Sequence, residues 1–312
     1  MNTPVKIIAA ILIPLLIAII IRFSNWPGVF SKNKSNDKEQ SGKKNPNEEK
    51  RSFSIKVHTT WLLPKELIEI SGISWISDDR FACVQDELGK VYIYNTLTAK
   101  IEKEIPFGEP GDYEGIAIAG ETIYVLQANG TIIEIENYDS AKPLEKKYKT
   151  QLTKKQDCES MAYDQKNNRL LIAIKAEESD NASYKGIYAF NLKTKEMAVK
   201  PVYRIDLNHQ IFNGEKSKKK TIQPSDMAIH PLSGDIYIIE ATTKPKLLIL
   251  NASGSIRSLH DLPGSDFPQP EGITFSPEGK MYISNEGKNK PGNIIEVQLS
   301  GVENGSKSGS VN

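Results

Sequence analysis

Apolar residues in this chain gather into short runs separated by polar turns, and one five-residue signature recurs within them. It reads Ser71-Gly72-Ile73-Ser74-Trp75, Glu114-Gly115-Ile116-Ala117-Ile118, Glu159-Ser160-Met161-Ala162-Tyr163, Ser225-Asp226-Met227-Ala228-Ile229 and Glu271-Gly272-Ile273-Thr274-Phe275. The shared order is polar or acidic, small or short, apolar, small, then large and apolar. First positions are separated by 43, 45, 66 and 46 residues. A period near 45 built from strands is the mark of propeller blades, four strands to a blade. The long third interval requires an insertion, and the polar stretches 177–183 and 208–220 supply it.

A turn follows each signature, as at 231–234 and 276–279, and a second apolar strand begins at Phe81, Ile123, Leu171, Ile236 or Met281. Third strands begin at Val91, Thr131, Gly186, Leu247 and Ile294, and the fourth are more polar, as outer edge strands tend to be. The last repeat stops after its third strand. Its missing fourth is available at the other end, in the segment starting at Phe53, where Leu63-Pro64 precedes Ser71 much as Leu262-Pro263 precedes Glu271. The pattern therefore predicts an all-β fold, a five-bladed β-propeller closed by an N-terminal strand. No 3.6-residue periodicity follows residue 23.

Ahead of the blades, residues 7–21 are apolar on every face and carry no charge. With their neighbours they approach the ~20 residues of a spanning helix. No small-x-small cleavage site follows. The chain divides into a single membrane-anchor helix at 1–23, a flexible polar linker at 24–52, the propeller at 53–299 and a disordered tail at 300–312. Arg22, Lys32, Lys34 and Lys38 beyond the helix, against Lys6 before it, favour a cytoplasmic body by the positive-inside rule. The short head and single apolar segment have the form of an export signal. We give that form the greater weight, which makes this a single-pass cell-membrane protein with an extracytoplasmic propeller.

Charge and cysteine content narrow the function. With 40 basic and 39 acidic residues the net charge is +1, and no basic stripe alternates with aromatics, so nucleic acid is not an expected partner. Cys83 and Cys158 lack zinc-site spacing and read as buried thiols. No Gly-x-Ser-x-Gly elbow, phosphate-cradling glycine loop or His-x-x-x-His pair is present.

The candidate chemistry sits at one end of the innermost strands. First signature positions give Ser71, Glu114, Glu159, Ser225 and Glu271. Two residues earlier, on the same strand face by the period-2 rule, come Glu69, Asp112, Asp157, Gln223 and Gln269. The antiparallel second strands return Gln85, Gln127, Lys175, Glu240 and Asn285 to that end, with Asp86 and Glu286 beyond two of them. Three glutamates around a narrow channel must be protonated, paired with cations or neutralised by a metal. Lys175 can answer one. For the rest a hard cation with oxygen ligands, Ca²⁺ rather than Zn²⁺, is one solution. Hydrogen bonding to neighbouring blades is the other, and it is the reading preferred for Glu69, Asp112, Asp157, Gln223 and Gln269. Of the four histidines only His209, in the insertion, has a position from which to reach over this mouth.

The stretches Ile70–Trp75, Asp112–Ala117, Asp157–Ala162, Gln223–Ala228 and Gln269–Thr274 resemble the SdiA-regulated family, and the resemblance spans residues 53–299. It implies a bacterial envelope protein with an N-terminal membrane segment, a five-bladed propeller distantly similar to NHL-repeat propellers, and an association with calcium. The calcium expectation carries over to Glu114, Glu159 and Glu271. Ser71 and Ser225 depart from the acidic pattern, so Asp226, Glu240 or Asn285 would complete an off-centre site. The resulting expectation is a calcium-binding interaction module that meets a protein partner on a propeller face. The lack of a nucleophile–base pair leans against an enzyme. The competing expectation is a calcium-dependent esterase, lactonase or phosphoesterase acting at the channel mouth.

Overall fold

The computed structural model describes residues 53–176, 178, 183–213 and 221–301. The N-terminal strand β1 (Ser54–Leu62) comes first. Blade one follows as β2 (Ile70–Ser77), β3 (Arg80–Gln85), β4 (Lys90–Asn95) and β5 (Lys100–Pro106). Blade two is β6 (Tyr113–Ala119), β7 (Thr122–Gln127), β8 (Ile132–Glu136) and β9 (Leu144–Tyr148). Blade three holds β10 (Cys158–Asp164), β11 (Arg169–Ile174), β12 (Tyr184–Asn191), β13 (Glu196–Met197) and β14 (Tyr203–Asp206). Blade four is β15 (Pro224–Ile229), β16 (Ile236–Glu240), β17 (Lys246–Leu250) and β18 (Ile256–Asp261). Blade five contains β19 (Pro270–Phe275), β20 (Met281–Asn285) and β21 (Asn293–Ser300).

Each blade is an antiparallel meander, and the fifth is completed by β1, which pairs with β21 from Ser54↔Ser300 to Leu62↔Asn293. The sequence expectation of five blades with a borrowed outer strand is met. The signature strands β2, β6, β10, β15 and β19 are the innermost of their blades and touch one another around the ring. Blade three differs from the others. Its outer strand is broken into β13 and β14, which pair with opposite ends of β12.

Strands such as Phe81-Ala82-Cys83-Val84 and Ile236-Tyr237-Ile238-Ile239 are apolar at every position because blades stack face to face and bury both sides. Five apolar clusters result, each shared by two neighbouring blades. Leu171 and Leu248 share one, Leu126 and Ile172 the next, and Val84 and Val125 a third. Ile239 and Ile283 anchor the fourth, and Phe81 with Tyr282 closes the ring between blades one and five. Cys83 and Cys158 are free and buried within these layers.

Near the axis space is tight. A Cβ at Gly272 would lie 2.5 Å from Ser284 Oγ and 2.9 Å from the Ile73 backbone nitrogen of the next blade. At Gly115 it would meet the Met161 Cβ at 3.0 Å. These second signature positions are small because inner strands of adjacent blades approach there.

Among the described residues no helix is long and apolar enough to cross a membrane. The anchor helix expected at 1–23, the linker at 24–52 and all but two residues of the tail at 300–312 lie outside the described residues. So does most of the stretch 177–183, together with 214–220.

Candidate functional site

Every inner strand carries a β-bulge at its first signature position. The register slips between Ile70 and Gly72, Tyr113 and Gly115, Cys158 and Ser160, Pro224 and Asp226, and Pro270 and Gly272. The bulged residues are thus Ser71, Glu114, Glu159, Ser225 and Glu271. An extra residue on one strand bends it and re-aims its side chain, a device common beside functional sites.

The two serines use it to tie blades together. Ser71 Oγ donates to the Tyr113 carbonyl at 2.8 Å, and Ser225 Oγ to the Pro270 carbonyl at 2.7 Å. The three glutamates lie close enough to feel one another's charge, and each meets a different neighbour. Glu114 is pushed up to about 9, first by burial, then by the charge of Glu159, then by a hydrogen bond with Asp112. Two carboxyls that share a hydrogen bond need one proton between them. Glu159 is raised by burial to about 7, while Lys175, with Nζ 2.5 Å from Glu159 Oε1, pulls it down. Glu271 is also raised by burial to about 7, against a hydrogen bond from Gln269. The Gln269 amide additionally donates to Glu286.

The residues two before each bulge precede the strands, so the bulge interrupts the period-2 count that placed them. Asp112 and Gln269 nevertheless reach their own blade's glutamate through these hydrogen bonds. Asp86 belongs to the same acidic rim. Burial and the charges of Glu69 and Glu87 raise it to about 6.

The remaining expected ligands lie deeper. Asp226 is fully buried, and its oxygens accept from the backbone N–H groups of Ile273 at 2.8 Å and Met161 at 3.4 Å. One side chain of blade four thus links the inner strands of blades three and five. Glu240 Oε1 accepts from the Gln223 N–H at 3.2 Å, while its buried Oε2 has no partner. Asn285 donates to the Asp266 carbonyl and to Asn293 Oδ1, and its buried Oδ1 is likewise unpartnered. Among the described residues no three His, Cys, Asp or Glu side chains converge closely enough to hold a metal ion. The donor chemistry of the mouth suits a hard cation; the spacing, as it stands, does not close on one.

His209 does not reach the mouth. Its Nδ1 accepts from the Ile211 N–H at 3.2 Å, capping the short 3-10 turn Gln210–Phe212, and it faces a groove shared with Ser253 and Ser255. His58 bonds Gln298 in the outer layer, His260 stacks on Phe53, and His230 packs between Tyr237 and Phe275 at the opposite end of the strands.

Sequence reasoning missed Lys185, a lysine with 2% exposure whose ammonium donates to the Lys175 and Ala176 carbonyls and holds the end of β11. Burial lowers its pKa to about 8. Its signal was a charged residue inside the apolar run of β12.

These shifts give stability a direction with pH. Carboxyls with folded-state pKa values above their unfolded 4.5 bind protons more tightly when folded. The stability they lend is fully present below about pH 4.5 and is lost as pH rises through 7 and then 9. In metal-free buffer the melting temperature should fall by several degrees between pH 5 and pH 9, and Glu114→Gln should flatten the upper part of that fall. A melt series across this range checks both.

Residues 63–290 match the family described as SdiA-regulated, and the chain belongs to that family. No curated protein matches it. Solved structures align with it at low identity. Glutaminyl cyclase from Myxococcus xanthus aligns with a TM-score of 0.57 at 14% identity, over 79% of this chain and 96% of that one. The PQQ-bound aldose sugar dehydrogenase of Streptomyces coelicolor gives 0.47 at 10% identity, over 80% and 99%. Virginiamycin B lyase from Staphylococcus aureus gives 0.43 at 16% identity, over 74% and 67%. At 14% identity the likeness to the first of these is one of fold, which by itself selects no activity.

Proposed function

We propose that this propeller is a binding module whose acidic mouth takes up Ca²⁺ in exchange for protons, and which presents its faces to a protein partner at the cell envelope. The observation that carries the reading is the group of three bulge-borne glutamates, with carboxyls raised to about 7, 7 and 9. Protons and Lys175 now offset charge that a divalent cation would offset in their place. Glu114, Glu159 and Glu271 would hold the ion after their side chains turn inward, since as they stand no three acidic side chains among the described residues converge. Asp226 would stay with its backbone donors, since losing it would orphan two buried N–H groups. The ion would supply positive charge and a place for a partner's oxygens.

Isothermal titration with CaCl₂ near pH 7.5, repeated in buffers of different ionisation enthalpy, tests the exchange. Saturable binding with release of about one proton is expected, and binding without proton release would remove the basis of the reading.

The same carboxyls favour a second reading, because acids and bases poised near neutrality are what a hydrolase requires. A panel of small esters, lactones and phosphoesters separates the two. The binding reading expects no turnover that Glu159→Gln abolishes.

The apolar run at 7–21 supports attachment to the cell membrane, and the short head before it, which has the form of an export signal, supports a propeller on the outer side. Alkaline phosphatase fused after residue 301 should then be active in cells, whereas a fusion active only in the cytoplasm, such as β-galactosidase, would reverse the orientation.

A further inference from the structure

We propose that the end of the channel opposite the acidic mouth binds a small planar apolar molecule bearing one hydrogen-bond acceptor. A cavity of about 440 Å³ lies there, lined by residues of all five inner strands. The third signature positions, Ile73, Ile116, Met161, Met227 and Ile273, are buried. The fifth positions, Trp75, Ile118, Tyr163, Ile229 and Phe275, are only half-buried and border the cavity. Five repeats that differ at their first positions thus agree in placing a large apolar side chain at this rim. Leu232, 74% exposed, extends it outward.

The size and the lining match those of small-molecule sites, which are mostly apolar with a few placed polar groups. Thr274 Oγ1 already accepts the Trp75 backbone N–H at 3.1 Å. One buried side-chain donor of the lining is left over. Trp75 Nε1 is buried and has no hydrogen-bond partner. A buried indole N–H ordinarily finds one, and the ring is half-exposed, so a tilt presents its N–H to an acceptor in the cavity. A flat aromatic skeleton fills the space between Trp75, Tyr163 and Phe275, and a carbonyl oxygen satisfies the indole. The residues involved are separate from the mouth glutamates, so the two sites stand or fall independently.

Photolabelling of the full chain with benzophenone, an apolar diaryl ketone, tests the site. Saturable labelling is expected in the segments 161–163 and 227–229. 9-Fluorenone should compete about tenfold better than fluorene, which has the same skeleton without the carbonyl. That advantage should disappear in Trp75→Phe. Leu232→Glu, at an exposed rim position, should lower labelling several-fold, and Leu144→Glu, exposed on β9, should leave it unchanged. Labelling that spreads over the surface without saturating, or that ignores both Trp75→Phe and Leu232→Glu, would overturn the proposal. So would equal competition by fluorenone and fluorene.

Discussion

A chain shortened to begin at residue 64 is expected to lose the single cooperative unfolding transition of the full protein. Its removal takes away β1 and leaves β21 as a bare edge. The loss is apolar as well as hydrogen-bonded. Ile55 and Val57 pack on the cluster between blades four and five, and Trp61 packs 6.3 Å from Tyr282 at the ring closure. Phe53 stacks on His260 at 3.6 Å. Burying an apolar side chain contributes roughly 1.5–3 kcal/mol, and these are part-buried, so together they reach about 5 kcal/mol. That is comparable with the whole stability of a typical domain. Denaturant unfolding followed by tryptophan fluorescence and by circular dichroism checks it. Coincident transitions at a denaturant midpoint close to that of the full chain would show that closure is dispensable.

Asp226→Ala is expected to cost about 2–4 kcal/mol, since it leaves two buried backbone donors, on Met161 and Ile273, without acceptors. Asp226→Asn should do nearly as badly. Its amide offers one acceptor oxygen and turns an NH₂ toward the other N–H. Alanine at Ser225 should cost less, because it removes one hydroxyl donor to a carbonyl. Urea melts of the three variants give the ranking. An Asp226→Asn variant as stable as the parent would mean that the link between blades three and five carries no load. Because burial pushes Asp226 well above its usual range, against the pull of its N–H donors, the cost should be read near neutral pH and again near pH 5.

Much of the fold was legible because the signature repeats and because the chain's first strand fits where its last blade is short. The bulges were not. A one-residue slip between strands leaves a local sequence such as Asp112-Tyr113-Glu114-Gly115 unchanged, and only pairing with the second strand reveals it. The broken outer strand of blade three was hidden for a similar reason, since β13 and β14 are too short to show alternation. At the site, the acidic mouth could be placed from antiparallel geometry alone. The fate of each carboxylate could not. Asp226 in a signature reads the same whether its oxygens meet backbone N–H groups or a cation. Glu134 is a parallel case. It is buried and held by Tyr124 at 2.6 Å, Tyr148 at 2.7 Å and the Lys195 ammonium, three partners drawn from two blades.

A thermal melt of the chelator-stripped full chain tests the proposed cation site on the bulge-borne glutamates. Ca²⁺ and Mg²⁺ would be titrated separately at pH 7.5. A saturable rise in melting temperature is expected with Ca²⁺, little with Mg²⁺, and the rise should be lost in Glu114→Gln and Glu271→Gln. An unchanged melting temperature at millimolar Ca²⁺, or a rise that survives both substitutions, would contradict it.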